Sequence, residues 1–247
     1  CVRRIQCDTN KYNNYLNAYE GMGWNDGVWM AVTNDWGKSS GVTATIAGGA
    51  GNAAHGDGSF VAGGGAIPLL QEGNDFFKMG NIATGYLSFV GTGSGNRAGG
   101  NASFVGSGIG NEASGGTLNG TGLTHLAIVV GGNYNSASGN ISFVGSGFNN
   151  TASGELSFIS SGQFVVASGH QSYAAGLYNI AEGNFSFIGN GNEFGESETA
   201  NNASGGMSFI GNGKSNKAVG DMSTVMNGQG NVASGAASFV GGGGSDV

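Results

Sequence analysis

The sequence predicts an all-β fold: a parallel β-solenoid (β-roll) of about twelve 14–15-residue coils with a non-repeat N-terminal cap. The first observation behind this prediction is compositional, since the 247 residues include 53 Gly, one Pro and only 9% charged residues. The second is that the Gly residues follow no Gly-X-Y period, which argues against collagen, while Phe, Val and Ile recur throughout, which argues against disorder. The third is a phrase that returns every 14 or 15 residues along most of the chain.

The repeated phrase is approximately x-S-F-[VI]-G-x-G-x-x-N-x-A-S-G-x, and it begins near residue 40. It is plainest at 142–154 and at 208–218. The position that opens its S-F-[VI] segment falls at residues 45, 59, 88, 103, 127, 142, 157, 172, 186, 208, 223 and 238. Most neighbouring positions differ by 14 or 15, and the larger intervals of 29, 24 and 22 each indicate one repeat that carries an insertion.

A period of 14–15 residues is too short for helical or leucine-rich repeats, and it suits a narrow coil of two short strands and two turns. In the S-F-[VI] segment, alternation places Phe on one face of the strand and Ser and Val on the other. In the N-x-A-S-G segment, alternation places Asn, Ala and Gly on one side. Gly at fixed positions is expected to supply the corners with positive φ.

Stacked coils align equivalent residues in columns about 4.8 Å apart. One column is Asn in almost every coil, and it includes Asn96, Asn111, Asn135, Asn150, Asn179, Asn216 and Asn231. We interpret this column as a structural ladder in which each carboxamide hydrogen-bonds to its neighbours along the stack. The alternative is a binding or ice-facing array. A further column is Ala, which is small enough to fill a thin core.

A second column is aromatic and includes Phe89, Phe104, Phe143, Phe158, Phe187, Phe209 and Phe239. We interpret it as packed core or as a subunit interface, because so much exposed aromatic surface would aggregate. The alternative is an exposed platform for a ligand. Val and Ile form a third column on the opposite face of the same strand, and a thin roll cannot enclose both. One apolar column is therefore expected to lie against another copy of the chain, in a trimer or a polymer.

Two domains are expected, because the composition changes near residue 40. Residues 1–40 lack the repeat and predict an N-terminal cap or assembly segment, since the open end of a solenoid needs cover. Residues 41–247 predict the repeat domain, with insertions near 66–80, 116–125 and 193–201. Insertions on a repeat scaffold are either binding elements or tolerated surface loops.

Two kinds of covalent modification have candidate sites in the sequence. Cys1 and Cys7 are the only cysteines, and they are candidates for a disulfide in an oxidising compartment. Six N-x-[ST] sequons are candidate glycosylation sites in a secretory pathway. The acceptor residues of these sequons are Asn101, Asn119, Asn140, Asn149, Asn184 and Asn202.

The sequence predicts no catalytic, cofactor or metal site. His55, His125 and His170 share no metal-ligand spacing, and the glutamates at 193–198 are interpreted as an acidic loop. The net charge of −7, from 8 Lys and Arg against 15 Asp and Glu, argues against nucleic-acid binding. No run of apolar residues is long enough to predict a transmembrane segment.

The phrase G-x-x-N-x-A-S-G-x-x-S-F-V-G resembles the head repeats of trimeric autotransporter adhesins, the YadA-type head, over roughly residues 41–243. The resemblance implies a left-handed parallel β-roll, assembly as a trimer and a role as a surface adhesin. The chain departs from that family in carrying Phe where those heads usually have small residues. Its coils are also similar to the repeat regions of viral and phage fibres.

Three functions compete on these observations. The leading one is a non-catalytic structural or adhesive subunit of an extracellular fibre or adhesin head, located outside the cell or at a cell or virion surface. The second is a glycan- or ice-binding module that uses a flat repetitive face, with a glycan or an extracellular-matrix component as its ligand. The third, an enzyme whose cleft is built from the insertions, is disfavoured because polysaccharide-degrading solenoids have wider coils.

Overall fold

The computed structural model describes residues 23–25, 28–30, 38–49, 51–65, 80–116, 126–191 and 200–244. The fold is an all-β parallel β-solenoid of about 11 turns, and none of these ranges contains a helix. The predicted fold class is therefore confirmed, with a turn count close to the expected twelve. The chain forms two compact units, Cys1–Ala113 and Ser114–Val247.

The first unit is built from short strands that alternate between two sheets. In chain order the strands are β1 (Gly23–Asn25), β2 (Val28–Met30), β3 (Lys38–Ser39), β4 (Thr45–Ile46), β5 (Ala53–Ala54), β6 (Phe60–Val61), β7 (Ile82–Ala83), β8 (Phe89–Val90), β9 (Arg97–Ala98), β10 (Phe104–Val105) and β11 (Glu112–Ala113). Strands β1 and β2 with the even-numbered strands β4 to β10 form sheet A, and the odd-numbered strands β3 to β11 form sheet B. Strands β1 and β2 pair antiparallel, and β2 then pairs with β4 in parallel, as do the later neighbours.

The second unit repeats this plan with parallel pairing only. In chain order the strands are β12 (Ile128–Val129), β13 (Ser136–Ala137), β14 (Phe143–Phe148), β15 (Thr151–Ala152), β16 (Phe158–Gln163), β17 (Val166–Ala167), β18 (Tyr173–Leu177), β19 (Ile180–Ala181), β20 (Phe187–Ile188), β21 (Asn202–Ala203), β22 (Phe209–Ile210), β23 (Lys217–Ala218), β24 (Thr224–Val225), β25 (Val232–Ala233) and β26 (Phe239–Val240). Even-numbered strands belong to sheet A and odd-numbered strands to sheet B. Each strand pairs with its equivalent in the next coil.

The register aligns identical positions of the repeat. Phe143 lies opposite Phe158 in sheet A, and an Ala of β15 lies opposite the equivalent Ala of β17 in sheet B. One expected alignment is wrong by a residue: Thr45 lies opposite Phe60. Ala44, which is buried, therefore occupies the Ser position in the first coil.

The interior of each coil is filled by Val or Ile from sheet A and by Ala from sheet B. Val144, Ile159, Ala152 and Ala167 all have an exposed fraction of 0%. Because strand side chains alternate, the Phe that precedes each Val points out of the roll. The expectation that only one of the two apolar columns enters the core is met, and the Val column is the one inside.

The Gly of the A-S-G turn is required by the close approach of neighbouring coils. A Cβ placed on Gly154 would lie 2.1 Å from the carbonyl oxygen of Gly169, and one on Gly139 would lie 2.0 Å from that of Gly154. Neither Gly139 nor Gly154 has a positive φ. Their small size, rather than their conformational freedom, explains why this position is Gly.

The corner just before the inner Ser differs from the prediction that Gly supplies positive φ. Larger residues take that conformation there, for example Ile141 (φ 54°), Leu156 (φ 57°) and Phe185 (φ 60°). Hydrogen bonds between coils hold two of them: Leu156 N–H donates to the Asn140 carbonyl at 2.8 Å, and Phe185 N–H donates to the His170 carbonyl at 2.7 Å. The stack therefore stabilises a conformation that local preference disfavours.

Several predicted features lie largely outside the described residues. Of segment 1–40, the structure describes β1, β2 and residues 38–40, so the candidate disulfide of Cys1 and Cys7 lies outside. The insertions near 66–80, 116–125 and 193–201 are described only at Gly80, Gly116 and residues 200–201. These three predictions therefore stay predictions.

Candidate functional site

The Asn column is an internal amide ladder, and Asn150 illustrates its geometry. Its Nδ2 donates to Asn135 Oδ1 at 2.9 Å and to the Gly162 carbonyl at 2.8 Å. Its Oδ1 accepts the Val165 N–H at 3.0 Å. Each such carboxamide therefore joins its own coil to the coils before and after it.

The same pattern recurs along the column. The ladder residues Asn96, Asn111, Asn135, Asn150, Asn179 and Asn216 are fully buried, and Asn231 is half-buried. Their carboxamides accept the backbone N–H of the next ladder residue in most coils. A buried carboxamide whose atoms are bonded internally cannot face a ligand or ice. The surface-array alternative therefore does not hold for this column.

Among the ladder positions that the structure describes, the interruption is at Val165, which is fully buried where the repeat has Asn. The Val165 N–H still donates to Asn150 Oδ1. Its side chain, however, offers no oxygen to the backbone N–H of Asn179 in the following coil. The ladder therefore has one side-chain hydrogen bond fewer between the Val165 coil and the Asn179 coil.

A column of buried Ser lies beside the Val column inside sheet A. The Ser142 hydroxyl donates to the Gly139 carbonyl at 2.7 Å. The hydroxyls of Ser157 and Ser172 are buried with no hydrogen-bond partner among the described residues. Buried unpaired hydroxyls reduce stability, so this column contributes less than the Asn ladder.

The aromatic column forms stacked ladders on the outer face of sheet A. In the second unit the rings of Phe143 and Phe158 lie 4.6 Å apart at an interplanar angle of 4°, and those of Tyr173 and Phe187 lie 4.7 Å apart at 10°. Stacking continues in the first unit from Phe89 to Phe104 at 5.1 Å. Each Phe and Tyr of this column is half-buried or exposed, and Phe239 is 67% exposed.

The aromatic residues of the predicted column are thus half-buried or exposed, namely Phe89, Phe104, Phe143, Phe158, Phe187, Phe209 and Phe239. The expectation that they form packed core is wrong, because a roll only wide enough for Val and Ala has no volume for a Phe ring. The interface alternative remains a prediction. The opposite outer face, on sheet B, carries Ser136, Thr151, Val166 and Lys217 at the corresponding positions. Aromatic surface is therefore concentrated on sheet A.

A second apolar column flanks the Phe ladder, two residues earlier in each coil. Its large members are exposed by 37–58%, namely Leu87, Ile141, Leu156, Phe185, Met207 and Met222. All six have φ between 52° and 60°. The same φ occurs at this position in coils that carry Ala102 or Gln171 there, so it is common to the coils. What distinguishes the six residues is a large apolar side chain left exposed. This column was not predicted from the sequence, although the apolar residues directly before S-F-[VI] were the available signal.

An aromatic cluster occupies the other corner of the roll between residues 134 and 178. Tyr134 packs edge-on against Phe148 at 6.0 Å, Phe148 against Phe164 at 5.3 Å, and Phe164 stacks on Tyr178 at 4.9 Å. In the other described coils the residue before the ladder position is Gly, Ala, Ser or Asn. This cluster, which we call the aromatic corner, is therefore a local departure from the repeat.

The sequons fall in different environments. Asn149 and Asn184 are exposed, Asn101 and Asn202 are half-buried, and Asn140 is 7% exposed. Asn119 lies outside the described residues. Access to the carboxamide therefore favours Asn149 and Asn184 as glycan acceptors.

The described His and acidic residues do not come together in a catalytic or metal-binding cluster. His55 Nδ1 lies 2.8 Å from Ser40 Oγ, and His170 lies 3.8 Å from Glu155. His125 and the acidic segment 193–198 lie outside the described residues. In the described part of the chain, no three His, Cys, Asp or Glu residues cluster as metal ligands do.

Comparison with protein-family models finds no match, and comparison with curated proteins finds none. Within the described residues, no helix is both long and apolar enough to span a bilayer.

Proposed function

We propose that this chain is a non-catalytic structural or adhesive subunit of an extracellular fibre or adhesin head, and that it self-associates through the outer face of sheet A. The observation that carries the proposal is the stacked aromatic ladder on that face. Rings such as Phe143 and Phe158 contribute nothing to the interior of their own roll. Apolar surface of this kind commonly marks an interaction site.

The flanking apolar column is a second reason to place the interface on the outer face of sheet A. Residues such as Ile141, Phe185 and Met207 are about half exposed while their backbone has positive φ. Such strain costs on the order of 1–3 kcal/mol per residue. Burial against a partner offsets it at roughly 25 cal/mol for each Å² of apolar surface removed from water.

A second copy of the chain is the partner that best fits this face. The ladder presents one ring per coil, so a partner needs apolar groups at the same spacing, about 4.8 Å. Another β-roll of the same sequence has that spacing, and closed symmetric assembly is the usual result of self-complementary surfaces. The resemblance to adhesin head repeats favours a trimer.

The test uses a substitution that the repeat already contains. Thr224 lies opposite Phe209 in the ladder, so the fold accommodates Thr at an aromatic position. We expect the native protein to be oligomeric by light scattering, and the triple variant Phe158→Thr, Phe187→Thr, Phe209→Thr to be monomeric with an unchanged circular dichroism spectrum.

A matched control changes apolar residues on the opposite outer face. Val166→Thr, Ile180→Thr and Val232→Thr alter sheet B, and we expect that variant to remain oligomeric. A native protein that is monomeric at micromolar concentration would overturn the proposal. So would a sheet A variant that keeps the native particle mass.

The aromatic corner favours a second function, binding of a neutral glycan. Aromatic faces suit the apolar faces of sugars, while the exposed amides of Asn149 and Gln163 lie beside the corner in sequence and suit sugar hydroxyls. Between residues 126 and 181 the sequence contains one Glu and one His, Glu155 and His170, and no Asp, Lys or Arg. An uncharged surface favours an uncharged ligand.

Calorimetry against a panel of neutral oligosaccharides tests this second function. We expect the variant Phe164→Ser, Tyr178→Ser to lose binding, since Ser215 occupies the equivalent position in another coil. The monomeric ladder variant should still bind, which separates the two proposals. Absence of binding by the native protein across the panel would reject the glycan function.

A further inference from the structure

Three Asn–Gly steps lie in register at one corner of the late coils. They are Asn190–Gly191, Asn212–Gly213 and Asn227–Gly228, and all three Asn are exposed. Earlier coils have Thr, Ser, Gly or Ala at the position of these Asn. The steps are independent of the proposed assembly face and of the aromatic corner.

The side chains of Asn212 and Asn227 fold back over the following peptide bond. The Gly213 N–H donates to Asn212 Oδ1 at 2.8 Å, and the Gly228 N–H donates to Asn227 Oδ1 at 2.7 Å. Because Cγ is bonded directly to Oδ1, the Gly nitrogen lies beside the carboxamide carbon. A small rotation of an exposed side chain brings the two atoms into reacting position.

Asn190 has the same sequence context and a different geometry. Its Oδ1 points to the preceding coil and lies 2.7 Å from the site of a Cβ on Gly176. No hydrogen bond joins the Gly191 N–H to Asn190 in the described part of the chain. The Oδ1 of Asn190 is therefore directed toward Gly176 and not over the following peptide bond.

We propose that Asn212 and Asn227 are sites of spontaneous succinimide formation, and that they convert to aspartate and isoaspartate before Asn190 does. Hydroxide removes the proton of the Gly nitrogen, which forms a bond to Cγ. The Cγ–Nδ2 bond breaks and the amide nitrogen leaves as ammonia. Water then adds to either carbonyl of the ring, and opening gives aspartate or isoaspartate.

Two features of the corner promote this reaction. Gly213 and Gly228 have no Cβ to hinder the attack of their nitrogen. Both Asn side chains are exposed, so water reaches the ring once it has closed. Asparagine is among the residues lost first on prolonged heating of proteins, and this corner concentrates that chemistry.

Each conversion adds one negative charge to the corner. Carboxylates formed at Asn212 and Asn227 would stand one coil apart, about 4.8 Å, and repel each other. Isoaspartate also lengthens the backbone by one methylene in a turn whose coils stack closely. The proposal therefore implies a corner that becomes more acidic with time.

The buried ladder supplies internal controls. Asn216 Nδ2 donates to the Gly228 carbonyl at 2.7 Å, and its Oδ1 accepts the Asn231 N–H at 3.0 Å. Asn216 is fully buried and precedes Lys217 rather than Gly. Its carboxamide is fixed, so we expect no conversion at Asn216 while the fold is intact.

The test is peptide mapping by mass spectrometry after incubation of the native protein at mildly alkaline pH in water enriched in heavy oxygen. We expect heavy oxygen at Asn212 and Asn227 several-fold faster than at Asn190, and none at Asn216. In a denatured digest the three Asn–Gly steps should convert at similar rates. Equal rates at all three steps in the native protein would overturn the proposal. A native protein that stays unmodified while its digest converts would also overturn it.

Substitutions give a second readout. The variant Asn212→Ser, Asn227→Ser introduces the residue found at Ser146 and Ser161 in earlier coils. Asn119–Gly120 is a further Asn–Gly step of the sequence, so Asn119→Ser is included in every protein compared. On isoelectric focusing, aged protein that keeps Asn212 and Asn227 should gain acidic bands several-fold faster than this variant, and the Asn190→Ser variant should gain them at nearly the native rate. Acidic bands that form equally fast in the double variant would contradict the assignment.

Discussion

Replacing Asn150 by Ala is expected to destabilise the second unit strongly. The change removes the Asn150 Nδ2 group, which donates to Asn135 Oδ1 and to the Gly162 carbonyl. It also removes Asn150 Oδ1, which accepts the Val165 N–H. Asn150 and Val165 are fully buried, so water cannot replace these bonds. The perturbation therefore acts on three coils at once.

The magnitude follows from the bonds that are lost. Each internal hydrogen bond contributes about 0.5–1.5 kcal/mol, and an orphaned buried N–H costs about 1–3 kcal/mol. For Asn150→Ala the expected loss in the free energy of unfolding is about 4 kcal/mol. In a chain of this size, that loss lowers the melting temperature by about 8–16 °C.

Thermal melting followed by circular dichroism measures the effect. Asn133→Ala is the matched control, because Asn133 is exposed on a neighbouring coil and its loss should change stability by no more than about 0.5 kcal/mol. Asn150→Val separates hydrogen bonding from packing, since it refills the space without restoring the amide. A melting temperature for Asn150→Val equal to that of the native protein would refute the hydrogen-bonding argument. A shift for Asn150→Ala no larger than that of Asn133→Ala would refute it as well.

Three further stability predictions come from the repeat itself, and chemical denaturation checks each one. Val165→Asn restores the missing acceptor of the ladder and should raise stability by about 1 kcal/mol; a loss would show that the site needs an apolar side chain. Ser157→Ala removes a buried hydroxyl without a hydrogen-bond partner and should raise stability by about 1 kcal/mol. Ser142→Ala removes a hydroxyl that donates to the Gly139 carbonyl and should lower stability by about 1 kcal/mol. Equal effects of the two substitutions would contradict this difference in hydrogen bonding. Gly154→Ala places a Cβ 2.1 Å from the Gly169 carbonyl oxygen and should cost about 3 kcal/mol or more, so a fully stable variant would contradict the close approach.

Much of the coil could be predicted because period and alternation are local properties of a strand. Phe143 and Val144 are neighbours in an extended segment, so their side chains must point to opposite faces. Which of them lies inside depends on the width of the roll. Ala152 and Ala167 on sheet B leave a space that Val fills and a Phe ring exceeds. That comparison needs both sheets in place.

The corners show where local preference was misleading. Gly was expected to supply the corners with positive φ, and Gly147 does so at one corner (φ 119°), yet Leu156 takes φ 57° at the other. Its N–H donates to the Asn140 carbonyl of the preceding coil, a bond that exists only in the stack. Conversely, the Gly at 154 has an ordinary φ and is fixed by contact with Gly169. Propensity describes one residue, whereas these two positions of the same turn depend on contacts with the preceding and the following coil.

The sequence by itself determined the coil length, the order of strands and turns, and the residues that share a column, because these follow from the repeat and from the two-residue period of a strand. Only the tertiary structure decided which apolar column lies inside the roll and which non-Gly residues take a positive φ. It also decided how the Asn side chain is oriented in each Asn–Gly step. Asn190 and Asn212 both precede Gly, but one side chain points to a neighbouring coil and the other folds over its own peptide. The physical reason is that stacking brings together residues 14 or 15 positions apart, and those contacts are absent from any local stretch of chain.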